Sequence, residues 1–341
     1  MGEQSMSERG VTITGRPKVL VLLSGGLDST LALHMMLKQD LQVEAVNFTT
    51  PFCSCDKCAV ENVSRQFDVT VHHVPLGREF LDVVANPPHG HGSQMNPCID
   101  CRILMLKKAD VIAKSIGAEC LVTGEVLDER PFSQRLDSMR LIEREAGLEG
   151  RILRPLSAKL LSPTSMERNG LVAREALESI RGRRRIPQIT LAEEWGIKDY
   201  PCPAGGCLLT DLRFADKLRD QLAHDGPLTI EIITLLKNGR HFRVKGAKVI
   251  VGRNKEENTL LLSIAKKTER PYLEVADYMG PVTLLDHDVS DAILDIAAAL
   301  TVRYSDAPPG CPADVIYTIR ESRLLQHVAA AAEAEIAPLR V

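Results

Sequence analysis

The sequence predicts an α/β protein in which a parallel-sheet domain is followed by a smaller α+β domain. Three observations carry this. Short continuous apolar runs alternate with helix-like segments in the first part of the chain. A Ser-Gly-Gly turn joins the first apolar run directly to a helical segment. Near Gly226-Pro227 the periodicity changes, and short strand-like runs predominate beyond it.

Lys18 to Leu23 (KVLVLL) is apolar at nearly every position, as a strand buried on both faces should be. The SGGLDST turn follows, and Thr30 to Lys38 reads as a helix that is apolar all round. Gln42 to Phe48 and Val69 to Val74 read as the second and third strands. Met105 to Ile116 reads as a helix, and Glu119 to Thr123 as a strand ending at Gly124. Strands alternating with helices imply a parallel sheet with right-handed crossovers. Beyond residue 226, Phe242–Val244, Lys248–Val251, Tyr272–Val275 and Val282–Leu285 read as strands. Glu256–Ala265 and Asp291–Arg303 read as helices. The expected layout is a flexible leader over 1–16, a first domain over 17–225, a second over 226–325, and a frayed alanine-rich tail over 326–341. No internal repeat is evident.

A chain of 341 residues suits two domains, and 44% hydrophobic with 26% charged residues suits an ordinary globular protein. Aromatics are only 4%, so the cores must rest on aliphatic residues and alanine. The formal net charge is -3, so any nucleic-acid surface must be a local patch. No apolar stretch is long enough to span a bilayer, and the N-terminus lacks the apolar core of a secretory signal. A cytoplasmic protein with no membrane partner is expected. Nine cysteines in a reducing compartment point to metal or redox chemistry before disulfides.

The turn from Ser24 to Thr30 suits a phosphate. Gly25 and Gly26 let the backbone approach an anion closely, and the N–H groups of the following helix complete an anion cradle. Ser24, Ser29 and Thr30 add hydroxyls, and Leu27 is the apolar position between them. Asp28 either assists a Mg²⁺ ion or caps the helix. No lysine follows the glycines, which excludes a Walker A loop. Ser24 to Ser29 matches the SGGxDS motif in full and resembles the PP-loop ATP pyrophosphatase superfamily, whose fold is Rossmann-like (adenine nucleotide alpha hydrolase-like). The resemblance implies ATP cleavage between the α- and β-phosphates. It also implies that Asn47 and Phe48 flank the adenosine and that Gly124 and Glu125 line the nucleotide pocket.

Most of the cysteines fall in three groups: Cys53, Cys55 and Cys58 (CSCDKC); Cys98 and Cys101 (NPCIDC); Cys202 and Cys207 (PCPAGGC). Cys120 reads as core and Cys311 as solitary. Thiolates two residues apart can turn to one metal or cluster, and thiolates alone do not separate zinc from iron–sulfur. Met95 to Lys107 resembles the Asn-Pro-x-x-x-Cys-Asn region of bacterial tRNA 2-thiouridylases. Pro203 to Asp211 resembles the segment that carries their second cysteine. The resemblance implies that Cys101 and Cys207 are catalytic. Cys98 takes the place of an acid that helps hold a cluster in some of those enzymes, and Arg102 stands where they have asparagine. That departure favours a [4Fe-4S] cluster on Cys98, Cys101 and Cys207 over a cluster-free persulfide route, with Cys202 as a fourth ligand or sulfur carrier and zinc as the rival. The Cys53 to Cys58 group reads as a second metal site, a sulfur-relay station or a loop of no fixed role.

Arg181 to Arg185 (RGRRR) is the densest basic run and suits several nucleic-acid phosphates or a solvated helix end. ERPFSQR and LRPLSAKLL are similar to motifs of a thiouridine-synthetase-like subgroup. That likeness implies phosphate or substrate contacts for Ser133, Gln134, Ser157 and above all Lys159. GRHFRV and VGRNKEEN resemble an NFACT-R-like module, with Arg240, His241, Arg253, Asn254 and Lys255 as RNA contacts or as a hairpin turn with a cap at Asn254.

The resemblances together imply ATP-dependent tRNA thiolation. A uridine carbonyl is adenylated with release of pyrophosphate; sulfur is then inserted and AMP leaves. The sulfur comes from a desulfurase-derived persulfide or free sulfide. The alternatives are a sulfurtransferase or amidating ligase acting on a small molecule, and a non-catalytic metal- and RNA-binding protein. The oligomeric state is left open, a homodimer being one option.

Overall fold

Side chains alternate across a strand, so a run such as KVLVL needs apolar cover on both sides. The computed structural model provides it. Val19 and Val21 pack with Leu31, Met35 and Ala192 on one face, and Leu20 and Leu22 pack with Ile103, Leu106 and Ile142 on the other. The structure describes residues 16–53, 57–198, 200, 206–287 and 289–341. Cys55, Cys202, the side chain of Cys58 and nearly all of the expected leader lie outside the described residues.

Two compact units are present, Met1–Cys207 and Leu208–Val341. In chain order the first contains β1 (Lys18–Leu22), α1 (Leu27–Lys38), β2 (Gln42–Thr49), α2 (Lys57–Phe67), β3 (Val71–Pro75), α3 (Arg78–Ala85) and α4 (Cys98–Ile116). It continues with β4 (Cys120–Thr123), α5 (Leu136–Ala146), β5 (Ile152–Leu153), α6 (Ser165–Arg168) and α7 (Ile186–Glu194). Its five strands run parallel in the order β3-β2-β1-β4-β5. The order reverses between β1 and β4, and ligands of such sheets bind outside the carboxyl ends of the strands at that switch point. The SGGLDST turn lies there.

The second unit contains α8 (Leu212–His224), α9 (Ile230–Lys237), β6 (Arg240–Val244), β7 (Ala247–Val251), α10 (Lys255–Thr268), β8 (Tyr272–Val275) and β9 (Thr283–Leu285). It ends with α11 (Asp291–Arg303), β10 (Ala313–Ile319), β11 (Ser322–Val328) and α12 (Glu333–Ile336). Its antiparallel sheet has the order β11-β10-β8-β9-β7-β6. Alanine-rich α11 packs on one face, and α9 and α10 on the other.

Three features differ from the sequence reading. Helix α8 belongs to the second unit, because its Asp220 holds Arg243 of β6 (2.5 Å) and Lys248 of β7 (3.2 Å). Helix α4 begins at Cys98, seven residues before the apolar pattern that marked it. The C-terminal segment is packed and not frayed: Ile336 is fully buried, and Arg340 bridges to Phe242.

Candidate active site

The chain leaves β1 through Leu23, whose N–H bonds Val46 at 2.9 Å. Gly25 has φ +79°, and a Cβ there would lie 3.0 Å from the Ala59 side chain and 3.1 Å from Val60. Both conformation and space therefore require glycine. Gly26 is the N-cap of α1 and supplies no side-chain cap, so the first amide groups of the helix keep their capacity for an anion. The Gly26 carbonyl accepts the hydroxyls of Ser29 (2.9 Å) and Thr30 (3.1 Å), and Ser24 Oγ lies 3.2 Å from Ser29 Oγ. Leu27 is buried and anchors the turn.

Asp28 does not cap the helix. Its Oδ2 accepts Arg185 Nη2 at 2.5 Å, while its Oδ1 is buried without a hydrogen-bond partner. Burial raises the Asp28 pKa, against the nearby positive charge of Arg185 and Arg130. Gly124 presses on this loop: a Cβ there would come within 2.5 Å of Asp28 C and Ser29 N. Asn47, on β2, donates to Leu23 O at 2.8 Å and fixes the exit of β1. Phe48 is half-buried against the α4 core. Lys159 is exposed, on the short turn Ala158–Leu160.

Glu125 is deeply buried, and its partners lie inward. Arg154 Nε reaches it at 3.0 Å and Arg102 Nε at 2.9 Å. Burial alone would raise its pKa, but Arg102 and Arg154 outweigh that and hold the carboxylate below its usual range. Arg102 follows Cys101, so this ion pair ties the end of β4 to the first turn of α4.

Cys98 and Cys101 both lie in the first turn of α4, one helical turn apart. Asn96, itself buried, donates through Nδ2 to Cys98 Sγ at 3.1 Å. An isolated antiparallel bridge pairs Cys53 with Cys207, bringing the segment after β2 against the last residue of this unit. Cys53 Sγ lies 3.2 Å from Thr50 Oγ1. Burial pushes the Cys101 thiol up to about 12, opposed by Arg102 and assisted by Cys98, Cys207 and Cys53. One member from each of the three cysteine groups thus acts on Cys101.

The donors suit a thiophilic metal or cluster in kind. Among the described residues, however, no three His, Cys, Asp or Glu side chains are gathered to hold a metal ion. The sulfurs of Cys98 and Cys53 instead make the contacts with Asn96 and Thr50. Cys120, on β4, is fully buried, and burial pushes its thiol up to about 12.

Several expected contacts have structural partners instead. Ser157 is fully buried, accepts Leu127 N–H (2.9 Å) and donates to Ile180 O (2.6 Å). Gln134 Oε1 accepts Arg130 N–H at 3.0 Å. In the arginine run, Arg181 pairs with Asp128 and Arg185 with Asp28, while Arg183 and Arg184 are exposed. In the second unit His241 is buried on β6, with Nε2 2.8 Å from Asn238 O and 3.1 Å from Leu235 O. Its burial lowers its pKa to about 3, so it stays neutral and faces the core. Asn254 caps α10 by accepting Glu257 N–H at 2.9 Å. Arg253 pairs with Glu257, and Arg240 lies over the Tyr304 ring at 4.4 Å. Lys255 is exposed.

Sequence reasoning missed two pairs. His89 Nδ1 lies 2.7 Å from Asp100 Oδ1, and Asp100 is buried between the two cysteines of CIDC in sequence. The PHGHG stretch beside a CxxC pair was the available signal. The Arg185–Asp28 pair spans 157 residues and left no local signal.

Residues 14–159 match the family described as Thiamine biosynthesis protein (ThiI), and residues 239–338 match the NFACT protein RNA binding domain. Among solved structures, a 4-thiouridine synthetase–RNA complex with bound ATP is 24% identical, over 52% of this chain and 53% of that one, with TM-score 0.34. The present chain thus spans about half the length of that relative. A predicted subunit of tRNA methyltransferase from Methanocaldococcus jannaschii is 20% identical over 41% of this chain and 69% of that one, with TM-score 0.30. The C-terminal part of the fibronectin/fibrinogen-binding protein from Streptococcus suis is 13% identical over 77% and 97%, with TM-score 0.27. Among the described residues, no helix is long and apolar enough to cross a membrane. With an SGGLDST loop at the switch point of its parallel sheet, the chain is similar over residues 14–159 to the ThiI family and over residues 239–338 to the NFACT RNA-binding domain.

Proposed function

We propose that this protein is a cytoplasmic transferase that thiolates tRNA at the expense of ATP. One observation carries the reading: the SGGLDST loop follows β1, Cys53 follows β2, and Cys98 and Cys101 open α4 of the same parallel-sheet unit, where Arg102, next to Cys101, pairs with Glu125, next to Gly124. The loop suits nucleotide cleavage and the cysteines suit sulfur.

The amide groups at the start of α1, with Ser24, Gly25, Gly26, Ser29 and Thr30, would cradle the β- and γ-phosphates. Asp28, through its unpartnered oxygen, would hold Mg²⁺, which supplies charge neutralisation at the polyphosphate. Asn47 and Phe48 would border the adenosine, Gly124 and Glu125 the pocket behind it, and Lys159 would clamp a phosphate. A uridine carbonyl oxygen attacks the α-phosphorus and pyrophosphate leaves. A sulfur nucleophile then attacks the activated carbon and AMP leaves. Adenylation is needed because a carbonyl oxygen is otherwise a poor leaving group.

Cys101 and Cys207 would handle the sulfur, with Cys98 beside them. Burial keeps Cys101 a thiol near neutral pH, so it needs a positive partner to act as a thiolate. Cys98, Cys101 and Cys207, with Cys202 as the fourth candidate, would hold a [4Fe-4S] cluster; when bound it supplies Lewis-acidic iron for handling sulfide, and zinc is the rival occupant. The donor is a desulfurase-derived persulfide or free sulfide. The matched RNA-binding domain supports tRNA as the partner.

A second reading, sulfur transfer to a small molecule, is favoured by the thiamine biosynthesis in the description of the matched family. Nucleoside mass spectrometry of tRNA from cells with and without the gene separates the two. A thionucleoside lost with the gene is expected; an unchanged nucleoside profile would sink the tRNA reading.

A further inference from the structure

Asp28 is awkwardly placed for a phosphate site. It is the second residue of α1, on the turn that presents amides to an anion, and its own charge opposes a polyphosphate. The structure cancels that charge from far along the chain. Arg185 Nη2 sits 2.5 Å from Asp28 Oδ2, and Arg185 Nε lies 3.6 Å from Glu129 Oε1. All three side chains are under one-fifth exposed, at 16% for Arg185, 19% for Asp28 and 15% for Glu129. One guanidinium thus serves two carboxylates at the mouth of the loop, and Asp28 Oδ1 remains buried without a partner. The other oxygen carries the arginine.

A divalent oxygen-seeking cation outcompetes a singly charged guanidinium for a carboxylate. The guanidinium in turn has a planar fork that matches phosphate oxygens. Resting on the reading of the loop as an ATP site, we propose that Arg185 is a nucleotide-phosphate ligand held in reserve. Its guanidinium occupies Asp28 until a divalent cation takes that carboxylate, and it then turns to the polyphosphate. The exchange needs no covalent step and conserves charge pairing, since each ion changes partner. Arg185 immediately precedes α7, so its backbone is anchored while its long side chain pivots. The arginine run is thereby divided: Arg185 serves the nucleotide, while Arg183 and Arg184 remain at the surface. The alternative is a static clamp that screens Asp28 and never touches the nucleotide.

Titration calorimetry of the full chain with α,β-methylene ATP, in EDTA and then with Mg²⁺, distinguishes the two. Asp28→Asn releases Arg185 without leaving a buried unpaired charge, and should bind the metal-free nucleotide about tenfold more tightly than wild type. Asp28→Asn/Arg185→Ala should lose that gain, binding about tenfold more weakly than Asp28→Asn. The pair is compared in a Glu129→Gln background as well, where a pure screen has no carboxylate left to cover; equal affinities with and without Arg185 there would overturn the proposal. If wild type binds the nucleotide but the variants are equal, only this inference fails. If wild type binds no nucleotide, the ATP reading falls and this inference with it.

Discussion

The two units place their polar motif residues in different surroundings, although each keeps a buried polar atom without a hydrogen-bond partner, Asp28 Oδ1 in the first and His241 Nδ1 in the second. In the second unit the charged and polar motif residues are largely consumed by one another. Arg243 holds Asp220 and Asp225, Lys248 joins the same pair, Arg253 holds Glu257, and Asn254 caps α10. At the carboxyl edge of the parallel sheet, Asp28 Oδ1 makes no close hydrogen bond, and the polar side chain beside Asp28 is that of Gln188 on α7, itself fully buried. A buried polar group without a partner costs stability, so its presence at a sheet edge asks for a ligand, whereas a satisfied network is architecture. On the proposed reading the chemistry belongs to the first unit. Of the residues expected to meet RNA in the second, Lys255 is exposed, whereas His241, Arg253 and Asn254 have partners within the unit.

Gly124→Ala tests this division with the largest expected effect. The added Cβ meets backbone 2.5 Å away in the phosphate loop, so the loop must shift. Turnover of ATP to AMP should fall about a hundredfold, as misplacing a binding loop by roughly an ångström does. Undiminished turnover in a pyrophosphate-release assay would show that the loop is not held from β4. Arg243→Ala tests the other half. It leaves Asp220 and Asp225 with Lys248 alone and should cost about 3 kcal/mol in urea unfolding while leaving nucleotide affinity unchanged. Weakened nucleotide binding would break the separation of roles.

His241 gives the smallest of the three effects and a definite sign. Burial lowers its pKa from 6.5 to about 3 in the folded state. Above 6.5 it is neutral folded and unfolded, and its contribution is intact. Between 6.5 and 3 the unfolded chain takes up a proton that the folded chain refuses, so stability falls as pH falls, by at most about 1.4 kcal/mol per pH unit. Unfolding of wild type and His241→Phe at pH 7 and pH 5.5 should show the larger acid loss in wild type. Equal losses would place the imidazole in solvent and return it to the candidate RNA contacts.

What the sequence revealed follows from the range of each signal. Strand β1 was legible because burial on both faces leaves an unbroken apolar run, KVLVL, whereas the two-residue β5 was too short to leave a pattern. The tight turn after β1 was legible because Gly25 needs both a positive φ and the space of a missing Cβ. The start of α4 was not: its first turn carries Cys98, Asp100, Cys101 and Arg102, whose roles are local chemistry, so apolar periodicity begins only later. The hairpin of β10 and β11 was missed because β11 is largely exposed and lacks a buried alternation. The Cys53–Cys207 bridge and the Arg185–Asp28 pair join segments more than a hundred residues apart, and no periodicity records such a meeting. His241 read as a polar motif residue in sequence, yet two backbone carbonyls in the core hold it.

The central claim is that the loop after β1 splits ATP between its α- and β-phosphates to activate RNA for sulfur. The most direct measurement follows ATP labelled at the α- and γ-phosphates in anaerobically prepared full-length protein, with and without tRNA. AMP and pyrophosphate formed in equal amounts, and only when tRNA is present, is the predicted result. ADP and inorganic phosphate, or cleavage indifferent to tRNA, would contradict it.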